Sequence, residues 1–232
     1  MIGLLGIKLG QTRVYNEKGV VVPVTVVQAG PNRVIQRKTV ESDGYNAVQL
    51  GFDDQKEQRV TKPLNGHLKK HGAAPVKWIR EFRNFTLDVK PGDTLSVTVF
   101  AKGDFIDAIG VTKGRGFEGV VKRYRFRGGD STHGSKGWHR RAGAIGQRLF
   151  PGTVMRGTRM PGHMGQVRRT VQNLEIIQVR EAEQVLLIKG ALPGAKGDYV
   201  IIRESKKFPR GVQRVRGVAQ TPKKGAKAKK QP

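Results

Sequence analysis

No cysteine occurs anywhere in the 232 residues. Disulfides and thiolate metal sites are therefore excluded, and nothing marks an oxidising compartment. Long apolar runs are missing too. The longest, Val20 to Val27, is interrupted by Pro23 and Thr25 and is far too short to span a bilayer. The opening MIGLLGIKLGQT has no basic residues ahead of its apolar start and no small-residue cleavage site, so it is not read as a signal peptide. A membrane-surface role would need a long basic amphipathic helix, which the glycine-rich part of the chain is unsuited to form. Acidic residues are scarce as well: 18 Asp and Glu face 44 Lys and Arg, a formal net charge of +26. These absences predict a soluble, intracellular, cytoplasmic protein with a polyanionic partner and no membrane contact.

The basic excess is confined to two segments. Residues 1–112 carry 16 basic and 11 acidic groups, and residues 171–205 carry 4 and 5. Residues 113–170 hold 14 basic groups against only Glu118 and Asp130, and residues 206–232 hold 10 against none. A chain that needed charge only for solubility would spread it. This one concentrates charge where a polyanion can be neutralised.

The segment 113–170 organises the rest. It holds 13 of the chain's 31 glycines, with Phe117, Tyr124, Phe126, Trp138 and Phe150 between the charges. Its aliphatic residues are too few to offset the entropy of ordering, so most of it cannot form a packed core. Arginine outnumbers lysine, and its planar fork suits phosphate, while aromatic faces suit bases. The turns Pro151-Gly152 and Pro161-Gly162 and the cluster Trp138-His139-Arg140-Arg141 argue against a featureless linker. The segment reads as an arm that becomes ordered against nucleic acid.

Around the arm the pattern is β. Gln11–Tyr15, Val20–Gln28, Arg33–Arg37 and Ala47–Phe52 are rich in strand formers and are parted by turn signals. That spacing predicts a meander or small barrel. Asp53–Ala74 reads as polar and irregular, with one helical turn around Leu64–Lys70. Trp78–Phe85, Asp88–Lys90, Leu95–Phe100 and Phe105–Thr112 are expected strands, as are Val171–Arg180, Val185–Gly190 and Asp198–Arg203 after the arm. The expectation is one globular, mainly β body with minor α, built from 1–112 and 171–205. The arm 113–170 is inserted in it as a long extended loop. The tail 206–232 is basic, low in complexity and expected to be disordered.

Short motifs with catalytic associations fail on their surroundings. Gly114-Arg-Gly116-Phe-Glu-Gly119 has dinucleotide-loop spacing, but no βαβ unit and no acid about twenty residues on accompany it. Glycines opening a helix over Phe117–Arg125 would still offer free N–H groups to a phosphate. Gly129 to Lys136 resembles a phosphate loop with its lysine misplaced. His67-Leu-Lys-Lys-His71 has the spacing of a zinc pair, yet the two lysines repel a dication. His133, His139 and His163 lack partners beyond Asp130, and Ser131 and Ser135 lack an orienting acid. No catalytic residue, metal site or cofactor is predicted, and the protein is not expected to be an enzyme.

One pattern runs through most of the chain. It comprises MIGLLGIKLGQTRVY, VVPVTVV, Asp43-Gly-Tyr45 followed by AVQLG, and RVTKP at Arg59–Pro63 with Gly66-His67. It continues with KGRGFEGVVKRYRF, THGS at 132–135, AIGQ at 144–147, PGTV, MPGHMG, RRTVQNLEI and LIKGALPG. In this order, from Met1 to about Arg203, it resembles the bacterial form of the universal large-subunit ribosomal protein L-three family. Gln11 stands where that family has methionine. Leu149 stands two residues after Gln147, where bacterial members carry a glutamine that can be methylated.

The resemblance implies a β-barrel body of the translation-protein type on the outside of the large subunit. It implies that a loop from Lys122 to about Arg169 threads through rRNA towards the peptidyl transferase centre. Its tip would be Ala144, Ile145, Gly146, Gln147, Arg148, Leu149, Phe150, Pro151 and Gly152. Members bind 23S-type rRNA near its 3′ end and nucleate early subunit assembly. The rRNA-contacting residues are then expected to be Lys113, Arg115, Lys122, Arg123, Arg125, Arg127, Lys136, Arg140, Arg141, Arg148, Arg156, Arg159, Arg168 and Arg169 on phosphates. His133, Trp138, His139 and His163 join them by stacking or hydrogen bonding. Partners would be large-subunit rRNA and neighbouring ribosomal proteins, without homo-oligomers. Structural magnesium would belong to the rRNA and have no protein ligand. A DNA-binding architectural protein is the alternative, although such proteins more often show a dimer-forming helical core or a pair of minor-groove β-arms.

Overall fold

The computed structural model describes residues 1–208, so the expected basic tail lies, from residue 209 onward, outside the described residues. Strands are numbered in chain order. β1 (Gly3–Tyr15) begins eight residues earlier than the valine-rich pattern indicates. Its first half alternates less because Leu4 and Leu5 are both fully buried, one on each face. β2 (Val21–Gln28) has five valines in eight residues, the β-branched content that a pleated, half-buried strand favours.

A closed antiparallel barrel forms from β1, β12 (Tyr199–Glu204), β7 (Phe105–Val111), β10 (Arg168–Arg180), β11 (Val185–Lys189) and back to β2. Leu4, Val27, Ile106, Ile176, Leu186, Ile188, Val200 and Ile202 belong to its core cluster and are buried. The chain is thus mainly β around a six-stranded barrel.

The first four strands do not form one meander. β3 (Asn32–Lys38) and β4 (Ala47–Asp54), joined through α1 (Val40–Asp43), leave the barrel for a second sheet of order β5–β4–β3–β6. β5 is Val76–Arg83 and β6 is Thr94–Leu95. The departure is fixed at Asn32, which is fully buried. Its Oδ1 accepts the N–H of Leu5 at 3.0 Å, and its Nδ2 donates to the carbonyls of Leu5 and Ala29 at 3.1 and 2.8 Å. The side chain substitutes for a strand partner of β1, so no buried backbone group there is left unmet.

One face of the second sheet, with Val34, Val48, Leu50, Phe52 and Phe82, merges with the barrel core. On a second cluster, Ile35, Val76 and Ile79 of the sheet receive Leu64 and Leu68 of α2 (Lys62–Lys70). Barrel, sheet and helix are therefore three successive layers. The region 53–74 is more regular than its polarity suggests, because those two leucines give α2 an apolar stripe. Asp88–Lys90 is not a strand, and Leu95–Phe100 is β6 followed by a 3-10 turn at Val97–Val99. Asp93 holds the turn by accepting the Lys90 N–H at 2.7 Å, and Ser96 accepts the N–H of Thr98. Local side-chain bonds outcompete the ladder there.

Candidate nucleic-acid interface

The arm leaves the barrel at the end of β7 and returns as β10, its antiparallel neighbour, with Val111 opposite Arg168. Its first and last residues continue that ladder as a narrow ribbon. Thr112 and Val167 exchange a backbone bond, as do Gln166 and Thr112, Arg115 and Met164, and Met164 and Gly116, all within 2.9–3.1 Å. The ribbon ends in β8 (Phe117–Glu118) against β9 (Gly162–His163). Gly165, at φ +81°, is required here: a Cβ would lie 2.2 Å from the Lys113 carbonyl oxygen.

Two groups buried in the body steady the point of departure. Asp107 is 1% exposed. It accepts the Asn173 N–H at 3.1 Å and pairs with Arg203 at 3.3 Å, holding β10 at its register shift between Val171 and Leu174. Lys8 donates to the carbonyls of Leu192 and Gly194, each at 2.9 Å. Burial first, and then the nearby Lys113 charge, push its ammonium below the usual lysine range. Neither residue stands out in the sequence.

Beyond the ribbon, α3 (Val120–Tyr124) is five residues long. The helix expected over Phe117–Arg125 is shorter because Phe117 and Glu118 are taken by β8 and Arg125 adopts the left-handed conformation, φ +62°. So short a helix has no aligned set of N–H groups with which to hold a phosphate, and that expectation is dropped. Instead α3 ties the two limbs of the arm together. Arg123 donates to the Met160 carbonyl at 2.7 Å. The Tyr124 ring is faced by the guanidiniums of Arg123 and Arg159, at 5.0 and 5.7 Å from its centroid. Residues 124 and 159 are too far apart in the chain for any local pattern to reveal that contact.

Residues 128–141 close on themselves. Gly129 donates to the His139 carbonyl at 3.1 Å, and His139 Nδ1 lies 2.9 Å from the Asp130 carbonyl. A Cβ on Gly128 would sit 2.2 Å from that His139 oxygen. The closure presents Trp138, half exposed, with Arg141 stacked at 4.8 Å from its ring. Further out, Ala144–Gly152 carries Ile145, Leu149 and Phe150 towards solvent, the last two 91% and 86% exposed.

Of the residues expected from sequence to contact rRNA, Arg123 alone is half-buried, and the arm aromatics Tyr124 and Phe126 are half-buried beside it. The rest are exposed: Lys113, Arg115, Lys122, Arg125, Arg127, His133, Lys136, Trp138, His139, Arg140, Arg141, Arg148, Arg156, Arg159, His163, Arg168 and Arg169. Among the described residues only Lys122–Glu118 and Arg127–Asp130 pair arm cations with acids. Nine of the fifteen exposed large apolar side chains among the described residues also lie in 113–170, including Val154, Met155 and Met160, which the sequence reading did not single out. Free cations beside bare apolar surface make an interface for a polyanion that also offers flat apolar faces. No group of three His, Cys, Asp or Glu that could hold a metal occurs among the described residues. His67 and His71 do meet edge to face, but His67 Nε2 is engaged 2.7 Å from Gln49 Oε1. No helix among them is long and apolar enough to cross a membrane.

The comparisons with known proteins agree on one family. A model described as Ribosomal protein L3 matches residues 78–185. The large ribosomal subunit protein uL3 of Deinococcus radiodurans is 51% identical over 208 residues, which is 89% of this chain and 96% of that protein. The proteins of the same name from Petrotoga mobilis and Nitrosococcus oceani are 47% and 48% identical, each spanning about nine-tenths of this chain and 98% and 97% of their own length.

Proposed function

The chain belongs to the ribosomal protein L3 family, and on that premise we propose that it is a structural constituent of the large ribosomal subunit, in the cytoplasm, whose arm binds large-subunit rRNA. One observation carries this: the arm presents fourteen basic side chains, and only two of them have an acidic partner in the described residues. Phosphate oxygens would take the remaining donors, releasing counterions and making the association steeply salt-dependent. Trp138, His139 and Phe150 supply faces for unstacked bases.

The ribbon and the Arg123–Met160 tie set the direction in which the arm leaves the barrel. The outer part, 127–157, takes its final shape from the RNA, near the 3′ end of the 23S-type molecule, with Ala144–Gly152 directed towards the peptidyl transferase centre. Early binding of this kind brings distant rRNA segments together and nucleates assembly. Other ribosomal proteins would adjoin the body. The family is structural, and no bond is made or broken by this chain.

The test is sedimentation of a lysate containing the tagged protein, at low and high magnesium. Co-migration with large subunits, lost when 127–157 is replaced by a short linker, is expected. Migration as free protein or with DNA would overturn the reading in favour of an architectural DNA-binding role.

A further inference from the structure

Among the described residues, nine of the twenty Lys and Arg in 1–112 and 171–205 have a carboxylate to face. Arg33 pairs with Asp54, Arg37 with Asp88, Lys38 with Glu81, Lys77 with Asp53, Lys102 with Glu17 and Lys189 with Glu175. The segment 56–70 is where unpaired cations cluster. Lys56, Arg59, Lys62 and Lys70 are all exposed and form no ion pair among the described residues. Arg13, Lys18, Lys90 and Lys196 are also without an ion pair among the described residues, but each stands singly in a strand or turn, and the exposed Arg80 and Arg83 lie over the rings of Trp78 and Tyr45.

The geometry of α2 gathers its charges on one side. At about 100° per residue, Lys62, Gly66, Lys69 and Lys70 fall within an arc of about 100°, opposite Leu64 and Leu68. Those leucines pack on the second sheet, so the lysine side faces away from the barrel. Glu57 accepts from Lys69 at 2.7 Å and from Asn65 at 2.8 Å. That contact brings the 3-10 turn Glu57–Arg59, with Lys56 and Arg59, alongside the helix.

Gly66 is the second, independent observation. It lies in the middle of α2 on the exposed side, and a Cβ there would meet nothing within 4 Å. Glycine inside a helix weakens it relative to alanine, and no packing in the chain requires it. A bare helix surface between lysines is what a sugar–phosphate strand needs in order to lie close, because the missing side chain lets the phosphates reach the flanking ammonium groups.

We infer that the Lys62–Gly66–Lys70 side of α2, with Lys56 and Arg59 beside it, is a second RNA-backbone contact, on the body and separate from the arm. It rests on the reading that the partner is rRNA. It reads shape and charge rather than sequence, since its donors are lysines on a helix surface.

The test is a titration of the full chain against a large-subunit rRNA transcript across a salt series. Gly66→Leu is expected to raise the melting temperature by about 2–4 °C while weakening RNA binding about tenfold. Lys62→Gln with Lys70→Gln is expected to lower the salt slope by about 1–2. A control removing the same kind of charge elsewhere, Lys18→Gln with Lys90→Gln and Lys196→Gln, is expected to change affinity by less than about twofold. Wild-type affinity and slope in the α2 variants, or an equal loss in the control, overturns the inference. Replacing 127–157 by a linker reports separately on the arm. Loss of binding there with unaltered α2 variants leaves the arm reading standing and removes this one.

Discussion

The Oδ1 of Asp107 accepts the backbone N–H of Asn173 at 3.1 Å, while its Oδ2 receives Arg203. A single buried carboxylate thus serves three neighbouring strands, β7, β10 and β12, where the arm rejoins the barrel. Asp107→Ala leaves the Arg203 charge and the bulge N–H without their acceptor. We expect a loss of about 3–5 kcal/mol in urea unfolding, and a smaller loss for Asp107→Asn, which keeps one acceptor.

Gly3 is the only residue that fits beneath Phe82. A Cβ at position 3 would lie 2.1 Å from Cε1 of that ring, which is buried between the barrel and the second sheet. Gly3→Ala should destabilise by about 1–3 kcal/mol through overpacking, and Phe82→Ala by about 3–5 kcal/mol through the cavity it leaves. Combining them should cost less than the sum, because the second removes the clash created by the first. A double-mutant cycle measures the difference.

Stability should fall in acid in two stages. Burial first, and then His67 and Lys70, hold His71 below the usual histidine range. The unfolded chain therefore binds its proton first, and stability declines as pH drops below about 6.5. The Glu81 carboxyl is held low chiefly by its bond to Lys38, at 2.8 Å. Its contribution is complete above about pH 4.3 and is lost as pH falls through the lower, folded value. His71→Gln should flatten the first stage and Glu81→Gln the second in a series of melts against pH. A Glu81→Gln curve matching the wild type in strong acid and near neutrality alike would refute the assignment.

Proteolysis should separate the two parts of the arm. In free protein we expect first cuts within 127–157, whose cations are exposed, and protection of the ribbon 112–118 and 162–168 by its backbone bonds. Gly165→Ala, which drives a Cβ into the Lys113 carbonyl from a left-handed position, should expose the ribbon as well. The melting temperature should stay within a few degrees, because the barrel core lies elsewhere. Uniform resistance of the arm to protease would contradict folding against RNA.

The sequence carried the barrel strands best where valine alternates with polar residues, as in β2, and the interface best where arginine meets aromatic residues. It concealed β1 from Gly3 to Gly10, because Leu4 and Leu5 bury opposite faces and erase the alternation. It concealed the second sheet because the cause of the departure, Asn32, is one polar residue with long-range bonds to Leu5. Tyr124 between Arg123 and Arg159 was hidden for the same reason. The helix expected at 117–125 failed because strand pairing with 162–163 claimed its first residues, a tertiary effect that propensity does not register.

The position of β12 between β1 and β7 has a consequence in time. A chain made from its N-terminus cannot close the barrel until residue 204 has emerged, about 90 residues and roughly 5–18 s after β7 at ordinary elongation rates. The arm is synthesised wholly within that interval. Its arginines and glycines are therefore free in the cell before the body that carries them has a finished wall, and RNA can engage them while the chain is still being made.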